Sequence, residues 1–310
     1  MIRVGVIGTG AMGINHIRNY YEMDDVELVG ISDIDEQRVN SLAGMYDTKA
    51  FTDYNELLKE ELDAVSIVVP TKLHKMVCLD TLAAGSNVLV EKPIADSPEN
   101  ADVMIQAAKD AGKALMVGHI ERFNPAVIKL KEIIDGGLLG KIVSISTTRV
   151  GPYNPRIRDV GVILDIGVHD VDIISYLYDR EVRKVHAIAG ADIHPFEDHA
   201  SIHLRFDGDL AGLVDTNWLT PHKVRSLKAV GLEGVAYLDY MNQTVELHDN
   251  GWIRKAKVEQ SEPLRNELEH FIDCVRNGEM PCPNGDHGKH ALKVCMAAIE
   301  SYREERTIQL

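Results

Sequence analysis

The chain has 310 residues, enough for one large or two moderate domains with a sizeable core. Hydrophobic residues make up 45% and charged residues 26%, ordinary for a soluble globular protein, and the formal charge of −15 argues against nucleic acid or an anionic membrane as partner. No apolar run approaches a membrane span and the N-terminus reads as a strand rather than a signal peptide, so a cytoplasmic protein is expected.

In chain order, the first signal is Val4–Gly13, a β-branched run followed by Gly8-Thr9-Gly10-Ala11-Met12-Gly13 and a helical segment. Gly8 permits a tight strand-to-helix turn, Gly10 lets a diphosphate approach the backbone, and Gly13 lets the helix pack on the strand. The helix N-terminus offers N–H groups and a positive dipole end to phosphates. A second strand, Glu27–Ser32, ends in Asp33, about 20 residues past the last glycine, where ribose hydroxyls are expected. Together these read as a dinucleotide site in which Asp33 repels a 2′-phosphate, favouring NAD over NADP. Arg38 keeps NADP open, although a solvated helix residue is the plainer reading of it.

Further strand-like runs fall at Ala64–Val69, Asn87–Val90 and Ala114–Val117, with a short one near Ala50. The helices between them carry start signals: Asp53 with Glu56 three residues on, and Ser97 before Pro98. Continuous Val/Ile strands alternating with helices predict a parallel sheet covered on both faces. After residue 118 the texture changes. Asn124-Pro125 opens a helix, Lys141–Val150 reads as a long strand, and Asp-Gly and Asn-Gly turns near 206–209 and 248–251 punctuate antiparallel runs. Helices near Leu264–Arg276 and Gly288–Arg303 close the chain.

The expected architecture is α/β. A doubly wound, Rossmann-type parallel sheet occupies residues 1–118. An α+β domain with an open, mostly antiparallel sheet occupies 119–310, and the last helix is free to pack back on the first domain. An open sheet leaves one face to cover, so a homodimer or homotetramer is expected.

Four cysteines, Cys78, Cys274, Cys282 and Cys295, show no CxxC spacing and suit reduced thiols. With His287 and His290 they cluster late in the chain, but Cys274 and Cys295 fall on apolar helical stripes, so no metal site is expected. His194, His199 and His203 read as strand surface.

Two constellations carry chemistry. Lys92 follows the strand Asn87–Val90 through Glu91 and precedes Pro93; strand-end position points it toward a ligand crevice, and the plain alternative is a solvated lysine. Asp165, His169, Asp172 and Tyr176 share one polar face if 165–178 is an ideal helix, with Val171, Ile174 and Leu177 opposite. A histidine one turn from a carboxylate is either a proton acceptor or one half of a structural pair.

Gly8-x-Gly10-x-x-Gly13, Glu91-Lys92-Pro93 and Asp165-x-Gly167-x-His169-x-x-Asp172, in this order and separation, resemble the glucose–fructose oxidoreductase/inositol dehydrogenase (Gfo/Idh/MocA) family over essentially the whole chain. The resemblance implies an NAD-dependent oxidoreductase acting on a sugar hydroxyl. It implies that Lys92, Asp165 and His169 line the sugar site, and that Val69, Pro70, Thr71, His74 and Glu91 border the cofactor beside the glycine loop. It also implies a cis Lys92–Pro93 peptide. The stretches Gly118–Pro125, Arg149–Arg158 and Asn217–Arg225 look like the branch that oxidises UDP-N-acetylglucosamine at its 3-hydroxyl. On that reading Arg122, Arg156, Arg158, Lys223 and Arg225 hold the substrate, arginine forks being suited to a diphosphate. A dehydrogenase of a free cyclitol or hexose, and a nucleotide-sensing regulatory subunit, are the other readings; an eroded Lys–Asp–His set would favour the last, and here the set is intact.

Overall fold

The computed structural model describes residues 1–155 and 160–310. The chain folds into two compact units, each made of two pieces: Met1–Ile120 with Leu264–Lys289, and Glu121–Pro263 with His290–Leu310. This differs from a single cut after residue 118, because Leu264–Lys289 groups with the first unit.

In the first unit the elements run β1 (Ile2–Ile7), α1 (Ala11–Tyr21), β2 (Val26–Ser32), α2 (Glu36–Met45), β3 (Lys49–Phe51), α3 (Tyr54–Leu57), β4 (Ala64–Ile67), α4 (Thr71–Ala83), β5 (Asn87–Glu91), α5 (Pro98–Ala111) and β6 (Leu115–Gly118). The six strands form one parallel sheet in the order β3-β2-β1-β4-β5-β6. Chain direction across the sheet reverses between β1 and β4, so their C-terminal ends flank the switch point where ligands bind in such sheets. Strand residues such as Val4, Val6, Ile31, Ile67 and Leu89 are buried, as sheets covered on both faces require. Helix starts follow local chemistry. Ser97 accepts from the N–H of Asn100 with Pro98 at the first position, and Asp53 accepts from Asn55. Glu56 does not complete the expected reciprocal cap; Lys59 engages it at 2.6 Å.

The second unit holds α6 (Pro125–Asp135), β7 (Ile142–Pro152), a π-helical turn (Ile163–Gly167), α7 (Val168–Tyr178), β8 (Lys184–Gly190), β9 (His199–Arg205), β10 (Ala211–Asn217), β11 (Leu219–Gly231), β12 (Val235–Asp239), β13 (Thr244–His248) and β14 (Ile253–Lys255). After α8 (Pro263–Asn277), α9 (Gly285–Glu304) ends in this unit and β15 (Ile308–Gln309) completes the nine-stranded sheet β14-β13-β12-β11-β7-β10-β9-β8-β15. It is mixed and mostly antiparallel: β7 and β10 pair in parallel. Residues of α6, α7 and α9, among them Leu130, Ile174 and Ala298, form one buried cluster with inward strand residues such as Ile145, Ile202 and Val214. Along β9 burial alternates strictly, leaving the opposite face open.

No helix among the described residues is long and apolar enough to cross a membrane. Cys78, Cys274 and Cys295 are buried, Cys282 is exposed, and all four are free thiols. His290 is engaged by the N–H of Val182 and His287 by Asn284. His194 lies in the loop before β9 rather than on a strand, its ring centroid 3.8 Å from that of Tyr153.

Candidate active site

The glycine loop joins β1 to α1. Gly8 has φ +99°, and a Cβ there would meet the carbonyl oxygen of Val68 at 2.3 Å; one at Gly13 would meet the Gly8 carbonyl at 2.0 Å. Neither position tolerates a side chain. A Cβ at Gly10 would meet nothing within 4 Å, so the backbone is open there. Gly10 caps α1 without a side-chain bond and the first turn holds no acidic residue, leaving N–H groups and the positive helix end for an anion. This is the cradle a dinucleotide diphosphate needs.

Asp33, just past β2, faces the same loop. Its Oδ2 accepts the Thr9 N–H at 2.7 Å and the Thr9 hydroxyl at 2.8 Å, and its Oδ1 accepts from Asp35 N and Arg38 Nη2 at 3.0 and 2.9 Å. Burial alone would raise its carboxyl; the bonds from Asp35, Thr9 and Arg38 outweigh that and hold it below the usual carboxylate range. Arg38 stays an exposed helix residue, as expected from the sequence, but its guanidinium is engaged by Asp33. A carboxylate in reach of a guanidinium recruits it, and the Arg38 Nε also donates to Thr9 Oγ1 at 3.2 Å.

Val69 and Pro70 follow β4 and lead into α4 at Thr71; Glu91 ends β5 and Lys92 follows it. His74 ties the two segments. It is buried, with Nε2 2.9 Å from the Val69 carbonyl and Nδ1 3.0 Å from the Pro93 carbonyl. Burial lowers its pKa against the pull of those carbonyls. The Lys92–Pro93 peptide is cis. Glu91 bonds His16 on α1 at 3.2 Å, a residue that no sequence motif singles out.

In the second unit Asp165 lies in the π-helical turn and His169 in the first turn of α7, both half-buried. The π turn breaks the ideal-helix spacing assumed for the polar face. Asp172 is not on an open face at all: it is buried and takes both Nε and Nη2 of Arg122, whose guanidinium lies 4.9 Å over the Tyr176 ring. Arg122, expected to hold substrate, is thus spent on Asp172, since a buried guanidinium needs a counter-charge.

Asp170, next to His169, is likewise clamped from β7. The Arg149 Nε is 3.1 Å from each of its oxygens, and the Arg149 Nη1 donates to Glu121 at 2.7 Å. Burial pushes the Asp170 carboxyl up to about 6 against the pull of Arg149. Arg225 on β11 stands directly across from Arg149, and Glu121 lies 3.7 Å from its Nη1, moderating a like-charge pair. Arg225 is half-exposed, whereas Lys223 is exposed. Arg156 and Arg158 lie outside the described residues. One signal for the missed Arg149 is its period-2 alignment with inward-facing Ile145 and Thr147: an inward arginine demands carboxylates.

Among the described residues, one His/Cys/Asp/Glu group has metal-ligand proximity, Asp192, Asp198 and His199. Asp198 Oδ2 there already accepts three backbone N–H groups, from residues 192 to 194.

Comparison with known proteins agrees with this geometry. Residues 2–119 match the model of an oxidoreductase family with an NAD-binding Rossmann fold, and residues 127–237 match the GFO/IDH/MocA C-terminal domain. The chain is 30% identical to a myo-inositol 2-dehydrogenase of Thermotoga maritima, over 100% of this chain and 98% of that protein. It is 27% identical to a UDP-N-acetylglucosamine 3-dehydrogenase of Acidithiobacillus ferrooxidans, over 97% of this chain and 98% of that protein. A solved structure of a UDP-N-acetylglucosamine 3-dehydrogenase from A. ferrooxidans superposes with TM-score 0.91 at 26% identity, covering 98% of each chain. With both domain models matched and the glycine cradle, the Lys92 strand end and the His169 helix in place, the chain belongs to the Gfo/Idh/MocA family of NAD-binding oxidoreductases.

Proposed function

We propose that this protein oxidises a sugar hydroxyl with NAD, and that the hydroxyl is the 3-OH of UDP-N-acetylglucosamine. When bound, NAD supplies the hydride acceptor. His169 takes the hydroxyl proton, with Asp165 orienting its imidazole, and Lys92 donates a hydrogen bond to the reacting oxygen and opposes its growing negative charge. Gly8, Thr9, Gly10, Ala11, Met12 and Gly13 hold the diphosphate, Asp33 the ribose, and Val69, Pro70, Thr71 and Glu91 the edge of the cofactor site. Arg225, with Lys223, Arg156 and Arg158, receives the substrate diphosphate. Assembly through the open sheet face into a homodimer or homotetramer, and a cytoplasmic location, belong to the same reading.

The observation that supports the nucleotide-sugar assignment is the near-complete overlay with a UDP-N-acetylglucosamine 3-dehydrogenase, TM-score 0.91. A free cyclitol is the second reading, favoured by the 30% identity to a myo-inositol 2-dehydrogenase over the full chain. The experiment is a panel of UDP-sugars, free hexoses and inositols with NAD, following absorbance of the reduced cofactor. Turnover of UDP-N-acetylglucosamine that is competitively inhibited by UDP supports the first reading. Good turnover of inositol beside poor turnover of UDP-sugars replaces it with the second.

A further inference from the structure

Arg225 on β11 carries a charge that the fold pairs only in part. Its side chain is 38% exposed, and its guanidinium donates no hydrogen bond among the described residues. The nearest carboxylate is that of Glu121, whose Oε1 lies 3.7 Å from Nη1, beyond hydrogen-bond reach. That oxygen is already taken. It accepts the Nη1 of Arg149 at 2.7 Å, while the other oxygen of Glu121 lies 3.4 Å from Asn124 Nδ2. Asp170 is turned to Arg149 as well, each of its oxygens 3.1 Å from Nε. Arg149 is buried, and a buried guanidinium loses most when a counter-charge leaves it. Both carboxylates are therefore committed to Arg149, and Arg225 receives a share of one.

The backbone keeps Arg225 in this position. It stands directly across from Arg149 on β7, an arrangement that like charges oppose, and its carbonyl accepts the N–H of Tyr240 at 3.1 Å. The charged groups around the guanidinium are Arg149, Glu121 from the turn before α6, Asp170 from α7 and Asp165 from the π-helical turn. Burial and the charge of Arg149 outweigh the three carboxylates and hold the Arg225 pKa below its ordinary value. A guanidinium offers a planar fork of five N–H donors, and here no acceptor is close enough to use them. An oxyanion that takes two parallel N–H groups, such as a phosphoryl group, meets that shortage. Glu121 opposes such a ligand, because a carboxylate 3.7 Å from Arg225 offsets the charge that attracts it.

We propose that Glu121 is a specificity-determining residue of the substrate site: its carboxylate, bonded to Arg149 and only near Arg225, leaves Arg225 free to take a phosphoryl group and limits how tightly that group is held. The proposal rests on the role given to Arg225 above. A neutral residue of the same shape at position 121 then strengthens anion binding at Arg225 instead of weakening it. The gain is confined to ligands that carry the anion. KM for a phosphorylated substrate falls in such a variant, whereas KM for a free sugar or cyclitol stays where it was.

The test titrates inorganic pyrophosphate by calorimetry into the complete chain saturated with NAD, so that the glycine loop is already filled. Glu121→Gln keeps an oxygen for Arg149 and removes the charge. It is expected to bind pyrophosphate about tenfold more tightly than wild type, the order of a charge–charge effect at this range near the surface. Arg225→Gln is expected to abolish this binding, and Glu121→Gln combined with Arg225→Gln to show no gain. Unchanged, weaker or absent binding in folded Glu121→Gln overturns the proposal, and so does a gain that survives the loss of Arg225. If Glu121→Gln does not fold, Glu121→Asp replaces it: with the carboxylate drawn back by one methylene, tighter binding supports the proposal and unchanged binding overturns it. Because binding is read without turnover, the proposal and the nucleotide-sugar reading fail separately. The expected pyrophosphate response without turnover of UDP-N-acetylglucosamine would remove that substrate and leave Glu121 acting on another anion; turnover with an unchanged pyrophosphate affinity would strike the role of Glu121 alone.

Discussion

Arg122 grips Asp172 through two short hydrogen bonds, Nε to Oδ2 at 2.8 Å and Nη2 to Oδ1 at 2.6 Å, with both side chains buried. The pair ties the turn that precedes α6 to the middle of α7, three residues beyond His169. Arg149 does the same to Asp170 from β7. The residues on either side of Val171 are thus pinned from two different elements, and the helix that carries His169 is held in one rotation.

Breaking one partner leaves the other charge buried and alone. Arg122→Ala is expected to destabilise the protein by about 3–5 kcal/mol, whereas the apolar double variant Arg122→Met with Asp172→Leu loses far less. Urea denaturation of the three proteins measures this; equal losses in the single and double variants would show that the ion pair is not what holds α7.

Cofactor choice turns on Asp33. NAD is expected to bind at least ~10-fold more tightly than NADP, a difference of about 1.4 kcal/mol. Asp33→Ser should narrow that gap, because the guanidinium of Arg38 already lies 2.9 Å from Asp33 and is released toward a 2′-phosphate. The Asp33 carboxyl is held below its ordinary value of 3.8, so it stays ionised as pH falls toward 5; the 2′-phosphate, with a second pKa of about 6, loses charge over the same range, so the preference for NAD should be larger at pH 8 than at pH 5. Fluorescence titration with both cofactors checks each statement; equal affinities in the wild type would refute the role given to Asp33.

The division of labour at the hydroxyl predicts a kinetic signature. His169→Ala should cut kcat by roughly 10²–10⁴-fold and leave NAD affinity nearly unchanged, since a general base acts in the transition state. Lys92→Ala should also lower kcat. Near-normal turnover of the true substrate by both variants would displace the reaction from these residues.

For the substrate, the variants to make are Arg225→Ala and, separately, Arg156→Ala and Arg158→Ala. A lost arginine–diphosphate bond costs about 1.5–3 kcal/mol, so KM for UDP-N-acetylglucosamine should rise roughly 10- to 100-fold with KM for NAD little changed. Wild-type behaviour in all three would move the free-cyclitol reading to first place.

Local chemistry was enough to read much of this molecule from its residues. The glycines at 8 and 13 are required by carbonyls of the same turn and the adjacent strand end, Ser97-Pro98 and Asn124-Pro125 start helices by bonds two or three residues long, and the turns near 207 and 250 close hairpins between their own neighbours. Periodicity separated the covered parallel sheet from the one-sided sheet for the same reason: burial on one face or two is written in successive residues. The tertiary structure decided where charges found their partners. Asp172 meets an arginine 50 residues away and Asp170 one 21 residues away, and an ideal-helix reading could not foresee either, nor the π turn that separates Asp165 from α7. Arg38, still exposed, meets Thr9 and Asp33 because folding brings the loop after β1 beside the end of β2. His16 and Glu91 become a pair only when α1 lies across β5, 75 residues later in the chain. Burial makes an unpaired charge costly, so the chain meets that demand wherever folding places a partner, at separations no local pattern encodes.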